Sequence, residues 1–208
     1  EEIFNVAPDI NILIVDDNSA DGTGIIADEL SKKYAQVKVL HREKKEGLGS
    51  AYIAGFKEVL NLNPDYILQM DADSSHHPKY IPLFLKEIAN CNIVLGSRFL
   101  NSKGMPVNVS LLSILANRYV KCILGLKITD SLGGFKCFQR KVIEEIGLDK
   151  FISKGFIFQA EFLYRALKKR FSIHEIPIIF YPRKSGLSKK SKRIILEAFL
   201  KTLLFRLL

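Results

Sequence analysis

An apolar run, Tyr66-Ile67-Leu68-Gln69-Met70, breaks abruptly into Asp71-Ala72-Asp73-Ser74-Ser75-His76-His77-Pro78. A short apolar run bounded by turn-forming residues predicts a buried strand whose C-terminal end reaches the edge of a sheet. In open α/β sheets that edge is where ligands bind. Side chains alternate along an extended chain, so Asp71 and Asp73 point to one side, close enough to share a divalent cation. Two such carboxylates repel if left unpaired. A Mg2+ or Mn2+ ion carrying phosphate oxygens in its open positions would relieve the repulsion. The plainer alternative is that Asp71 or Asp73 caps a helix beginning near Pro78. His76 and His77, being adjacent, point apart; at most one reaches a metal, and packing at the helix start suits both.

The other segments supply a sheet for this strand. Asn11 to Asp16 is an apolar strand running into Asp16-Asp17-Asn18-Ser19-Ala20-Asp21-Gly22-Thr23, with Asp21 placed to cap the helix that follows. Val37 to Leu40 is a second strand, leading through Arg42-Glu43-Lys44-Lys45-Glu46-Gly47-Leu48-Gly49 into a helix ending near Leu60. Asn92 to Ser97 is a fourth, ending at Arg98. Strands alternating with helices predict a largely parallel, doubly wound sheet. Further on come an apolar helix over Leu111 to Leu124, a turn into a strand over Asp130 to Phe138, an aromatic helix over Phe156 to Lys169, a strand over Ile173 to Tyr181, and a last helix over Ile194 to Leu208.

At 208 residues the chain suits one such domain, over residues 1–193, plus the closing helix at 194–208 as an amphipathic appendage. The net charge of +9 points to acidic partners: phosphates, an anionic membrane surface or nucleic acid. Nucleic acid is disfavoured, because the basic residues fall at strand ends beside acidic ones and not along an aromatic-laced stripe. Cys91, Cys122 and Cys137 lack metal-site spacing and read as reduced core residues of a cytosol-facing protein. No run reaches the ~18 to 20 apolar residues that span a bilayer.

Two acidic strand ends facing one crevice, with Arg42, Lys44, Lys45, Arg98, Arg183 and Lys189 placed after strands, suggest a nucleotide site. The plain reading of Lys44 and Lys45 is a solvated face. Taken in order, Asp16-Asp17-Asn18-Ser19-Ala20-Asp21-Gly22-Thr23, Gly47-Leu48-Gly49, Asp71-Ala72-Asp73 with His76-His77-Pro78, Gly96-Ser97-Arg98-Phe99, Ser153-Lys154-Gly155-Phe156 with Phe158-Gln159-Ala160-Glu161, and Arg183 with Gly186, Ser188 and Lys189 resemble the dolichyl-phosphate mannosyltransferases. His76-His77-Pro78 and Arg42-Glu43-Lys44-Lys45 resemble the eukaryotic form of that family. The resemblance implies an inverting glycosyltransferase of GT-A fold using GDP-mannose and dolichyl phosphate at the cytosolic face of the endoplasmic reticulum membrane, with small membrane-anchoring subunits as further partners.

Carried across by position, the resemblance makes Asp16, Asp17, Arg42, Asp71 and Ala72 nucleotide contacts and makes Asp71, Asp73 and Ser75 the holders of Mg2+ or Mn2+. Asp73, Arg98 and Arg183 become catalytic, and Arg98, Arg118, Arg183, Ser188 and Lys189 bind the acceptor phosphate. Ile114 stands where the family has an arginine, leaving Arg118 or Lys121 to supply the charge, and Lys136 replaces another arginine. Two alternatives stay open: another donor such as UDP-glucose, or a catalytically silent nucleotide-binding or scaffolding subunit. The resemblance also implies a strand and helix before Glu1, the strand lying between those ending at Asp16 and Asp71, without which the chain is expected to fold poorly and bind donor weakly. The last helix is expected at a membrane interface or against an anchored partner, with Lys189, Lys190, Lys192 and Arg193 toward anionic headgroups.

Overall fold

The computed structural model describes residues 1–100, 109–181 and 192–207, with side chains of the last segment described from Ala198 onward. Arg183, Ser188 and Lys189 therefore lie outside the described residues. In chain order the elements are α1 (Glu2–Val6), β1 (Ile12–Asp16), α2 (Thr23–Lys33), β2 (Val37–His41), α3 (Leu48–Leu60), β3 (Tyr66–Gln69), α4 (Ile81–Glu87) and β4 (Ile93–Ser97). There follow α5 (Leu111–Leu124), β5 (Lys136–Gln139), α6 (Arg140–Glu145), α7 (Phe158–Lys168), β6 (Ile173–Pro177) and α8 (Lys192–Leu207).

Local chemistry sets several of these boundaries. α5 begins where the Ser110 hydroxyl accepts the Ser113 N–H at 3.3 Å and ends at Gly125, whose φ of 64° suits a residue without Cβ. Asp21 acts one residue earlier than expected: Gly22 is the cap, and the Asp21 carboxylate accepts from both the amide and the hydroxyl of Thr23.

β1 and β2 form a parallel pair, and β3, β5, β4 and β6 form a four-stranded sheet in that order. β6 runs parallel to β4, while β5 runs antiparallel to both β3 and β4. The sheet is thus largely parallel, with one reversed strand. β5 starts at the edge where β3 and β4 end, since Lys136 lies opposite both Gln69 and Leu95. This reversal carries residues 130–134 to the same edge as Asp71 and Arg98. Among the described residues β1 pairs only with β2 and β3 only with β5. The helix α3 reaches both: a Cβ on Gly55 would lie 3.0 Å from Val15 of β1, and Phe56 packs in one cluster with Ile67 of β3.

The core falls into three clusters around the larger sheet, one of which joins Leu95, Val120, Leu124, Leu163 and Phe205. Through Phe205 and Thr202, both buried, α8 covers that cluster. Burial of the phenylalanine alone fastens the helix by about 2 kcal/mol. Cys91 and Cys137 are buried as expected, but Cys122 is exposed, because helical spacing turns it away from the buried Val120 and Leu124 of α5.

Candidate active site

Beyond β3 the chain turns at once, with Ser74 at a φ of 65°. Asp73 is set by Ser75, whose amide and hydroxyl both donate to its Oδ1, at 3.0 and 2.5 Å. Ser75 is fully buried and orients the Asp73 carboxylate. Asp71 is gripped from several sides. The Tyr52 hydroxyl donates to its Oδ1 at 2.8 Å, and its backbone N–H donates to His76 Nδ1 at 2.9 Å. Burial, and secondarily the charge of Asp71, pushes the Tyr52 pKa up, so the phenol keeps the proton it donates.

The bond from Asp71 N–H assigns His76 the tautomer protonated on Nε2, and burial pushes its pKa down, keeping the ring neutral. The ring stacks on Phe135 at 5.0 Å. His76 thus closes the acidic turn, with its Nδ1 taken up by the Asp71 amide. His77 does serve the helix start, since its Nδ1 accepts the Lys79 N–H at 3.2 Å. Ala72 is exposed at the tip. Two carboxylates oriented by hydroxyls supply hard oxygen donors that suit Mg2+ or Mn2+, whose remaining positions would go to water and phosphate.

At the ends of β1 and β2, Asp16 is 5% exposed, and its Oδ2 accepts the Ser19 N–H at 3.3 Å. Among the described residues its Oδ1 has no hydrogen-bond partner. A buried acceptor left unpaired costs about 1 to 3 kcal/mol, which a ligand N–H or O–H would recover. A Cβ on Gly24 would fall 2.8 Å from Asp16 Oδ2, so only glycine lets α2 approach this carboxylate. Arg42 is held between Asp17 Oδ1 at 2.5 Å and Glu46 Oε2 at 3.0 Å. Lys44, three-quarters exposed, belongs to the solvated face.

At the end of β4 the chain pairs Arg98 with an aspartate that reading the sequence left unassigned. Asp130 is fully buried and takes Arg98 Nε on Oδ2 at 2.7 Å and Nη2 on Oδ1 at 2.8 Å. The amides of Arg98 and Leu132 also donate to it, at 3.1 and 3.3 Å. Glu175 accepts the amides of Thr129 and Asp130, and Asn117 of α5 accepts the Ser131 amide, so the loop under Arg98 is pinned from two elements. Arg118 is exposed on the outer side of α5 and makes no described hydrogen bond to this network; the residue that α5 turns inward there is Asn117. Neighbours on a helix diverge by about 100°, which separates the two. The one signal for Asp130 in the sequence was its place before Ser131-Leu132-Gly133-Gly134, a turn signature that did not name a partner.

The halves of the site meet at Gly133 and Gly134. A Cβ on Gly134 would lie 3.5 Å from both carboxylate oxygens of Asp71, and one on Gly133 would lie 3.3 Å from Asp130 Oδ2. The edge of the larger sheet therefore carries an acidic pair and a partly buried arginine on either side of one diglycine turn, while Asp16 ends a strand of the two-stranded sheet. Residues 1–147 match the sequence profile described as glycosyl transferase family 2. The chain belongs to that family.

This family 2 glycosyltransferase is 39% identical over 204 residues to polyprenol monophosphomannose synthase of Mycolicibacterium smegmatis, covering 96% of the chain and 77% of the relative. It is 38% identical over 197 residues to undecaprenyl-phosphate mannosyltransferase of Micrococcus luteus, covering 93% and 81%. Both relatives are bacterial, so they stand with the mannosyltransferase part of the resemblance and not with its eukaryotic form. Among solved structures, glucosyl-3-phosphoglycerate synthase from Mycobacterium tuberculosis superposes with a TM-score of 0.65 at 15% identity, over 98% of this chain and 73% of that one. That enzyme was solved with Mn2+, UDP and glucosyl-3-phosphoglycerate. At such identity the likeness establishes the GT-A fold.

Proposed function

We propose that this glycosyltransferase moves mannose from GDP-mannose to a polyprenyl phosphate, dolichyl phosphate being the acceptor that the sequence resemblance names. The names of both relatives quoted above join mannose to a polyprenyl phosphate, and one observation supports the acceptor class. The carboxylates that anchor the loop under Arg98 are saturated: Asp130 accepts four donors and Glu175 three. With Asp71 and Asp73 committed to a cation, none of these four carboxylates is left as a general base. A sugar hydroxyl needs such a base. A phosphate monoester, with a second pKa of about 6, does not.

In this reading Asp16 receives the nucleoside, and Asp71 and Asp73 hold Mg2+ or Mn2+. When bound, the cation would neutralise charge on the departing diphosphate. Arg98, presented rigidly by Asp130, holds the acceptor phosphate. A phosphate oxygen attacks the anomeric carbon from the face opposite GDP, and the bond to the diphosphate breaks with its electron pair leaving on GDP, so the centre inverts. The test offers the purified protein labelled GDP-mannose or UDP-glucose with either polyprenyl phosphate or the corresponding free polyprenol in detergent. Transfer is expected from GDP-mannose to the phosphate alone, with the rate falling as pH drops through about 6. Product from UDP-glucose only would sink the donor, and product on polyprenol would sink the base-free acceptor.

The same reading needs a surface for the lipid. Phe199, Leu200, Leu203, Leu204 and Leu207 are all at least 40% exposed and share one side of α8, opposite the buried Thr202 and Phe205. Tyr119 of α5 stacks on Phe199 at 4.8 Å, and α5 adds Leu111, Leu112 and Leu115, also exposed. In the sequence, Arg183, Lys184, Lys189, Lys190, Lys192 and Arg193 precede or open α8 with no acidic residue among them. No helix among the described residues is long and apolar enough to cross a membrane. An apolar face flanked by basic residues suits lying on an anionic bilayer. The paired change Leu200→Glu and Leu204→Glu is expected to lower flotation with anionic vesicles at least about tenfold, each leucine contributing roughly 1.5 to 3 kcal/mol when buried. Undiminished flotation would rule this face out.

A further inference from the structure

β5 opens with a lysine for which the mechanism above has no use. Lys136 is fully buried, between β3 and β4 in the middle of the larger sheet. Burying an ammonium is costly, and a carboxylate in contact is the usual compensation. None of its described hydrogen bonds goes to one. Lys136 Nζ donates to the Gly133 carbonyl at 2.5 Å and to the side-chain oxygen of Gln159. That oxygen also accepts from Gln69 Nε2 at 3.0 Å, and Gln69 Nε2 donates in addition to the Gly134 carbonyl at 2.8 Å.

Two consecutive carbonyls of the diglycine turn are thus drawn inward, one by Lys136 and one by Gln69, and both donors are tied to one oxygen of α7. On its outer side the same turn abuts Asp71 through Gly134 and Asp130 through Gly133. The lysine also lies within electrostatic reach of both carboxylates: burial pulls its pKa down to about 7, against the opposing charges of Asp130 and Asp71. A Cβ at Gly134 would meet His76 Cε1 at 3.2 Å, so a larger residue fits there only if the His76 ring gives way.

We infer that Lys136 is a positioning residue for the transfer, one that acts through the Gly133–Gly134 turn to fix the separation between the Asp71 carboxylate and the Arg98–Asp130 pair. This inference rests on the reading that Asp71 serves the donor and Arg98 the acceptor. In that reading the turn sets the distance between the leaving diphosphate and the attacking phosphate. A displacement of about 1 Å at such a place costs on the order of a hundredfold in rate. Gln159, as the shared acceptor, is the second member of the device.

The test compares wild type with Lys136→Met, which keeps the length of the chain and removes the donor and the charge, and with Gln159→Met. Each protein is followed by thermal unfolding, by titration with GDP in the presence of Mn2+, and by separate kcat and KM values for GDP-mannose and polyprenyl phosphate. The expected result is a fall in kcat of about 10- to 100-fold in both variants, with the GDP affinity and both KM values within about threefold of wild type. If Lys136→Met does not fold, Gln159→Met alone decides. A folded variant that keeps kcat within threefold overturns the inference, and so does a loss that appears wholly as weakened GDP binding. Failure of the functional reading looks different, because wild type itself would then transfer no mannose.

Discussion

Replacing Asp71 by asparagine is expected to lower mannosyl transfer by at least about a thousandfold while leaving thermal stability nearly unchanged. The two halves of this expectation have separate causes. Stability is spared because what the fold takes from Asp71 does not need its charge. The His76 ring bonds the backbone N–H of residue 71, and the Tyr52 hydroxyl at 2.8 Å can donate as well to an amide oxygen as to a carboxylate. The side chain is only partly buried, so no void opens. Activity falls because a neutral amide is a poor ligand for a hard divalent cation, and such a cation contributes several kcal/mol to stabilising the leaving diphosphate. At 1.4 kcal/mol per tenfold, a loss of about 4 kcal/mol is a factor of roughly a thousand. Rates measured over a range of Mn2+ concentrations check this. A variant that keeps more than a tenth of wild-type turnover, with the same Mn2+ dependence, would remove Asp71 from the metal site.

The opposite pattern is expected at Asp130. Asp130→Ala should lower both the melting temperature and the activity, and the melting temperature falls first and furthest. This carboxylate is fully buried and accepts the Arg98 fork and two amides. Its removal strands a guanidinium that is 11% exposed. Breaking a buried pair from one side costs about 3 to 5 kcal/mol, because the remaining charge has no compensation. For a chain of this size each kcal/mol moves the midpoint by about 2 to 4 °C, so a fall of roughly 6 to 20 °C follows. Arg98→Met should be milder for stability, since the amides of residues 98 and 132 still donate to Asp130, and equally damaging for transfer. The double change Arg98→Met with Asp130→Leu should melt above Asp130→Ala. Differential scanning calorimetry on the three variants decides; a midpoint for Asp130→Ala within 2 °C of wild type would mean that the pair is not the anchor described.

The contrast between these two aspartates also marks what the amino-acid sequence discloses. The place of Asp71 just beyond a strand was legible because its signal is local: an apolar run and an abrupt break. The bounds of α5 were legible for the same reason, since its apolar run over Leu111 to Leu124 is itself local. Asp130 was not, because the residue that explains it lies 32 positions away across a strand pairing. The reversal of β5 escaped notice likewise, since direction in a sheet is a matter of long-range register. α6 was missed because six residues hold too little periodicity to register against the strand before them. At His76 the alternation rule correctly separated the two imidazoles, yet it gave no hint that a turn would fold one ring back onto the Asp71 amide. The strand expected to run to Tyr181 stops at Pro177, opposite Ser97, where its partner β4 itself ends.

The unmatched flank of β1 bears on how this protein behaves in a tube. Ile12, Leu13, Ile14 and Val15 are each only partly buried, and β1 presents one row of backbone donors and acceptors that no described strand meets. The run contains no proline and no lysine, the residues with which exposed strands usually discourage company. Two molecules meeting along this flank would each complete the other's ladder, an isologous contact that takes up the same row on both and closes at the dimer. Self-association of this kind rises steeply with protein concentration, which makes dilution the natural ally of anyone handling the protein.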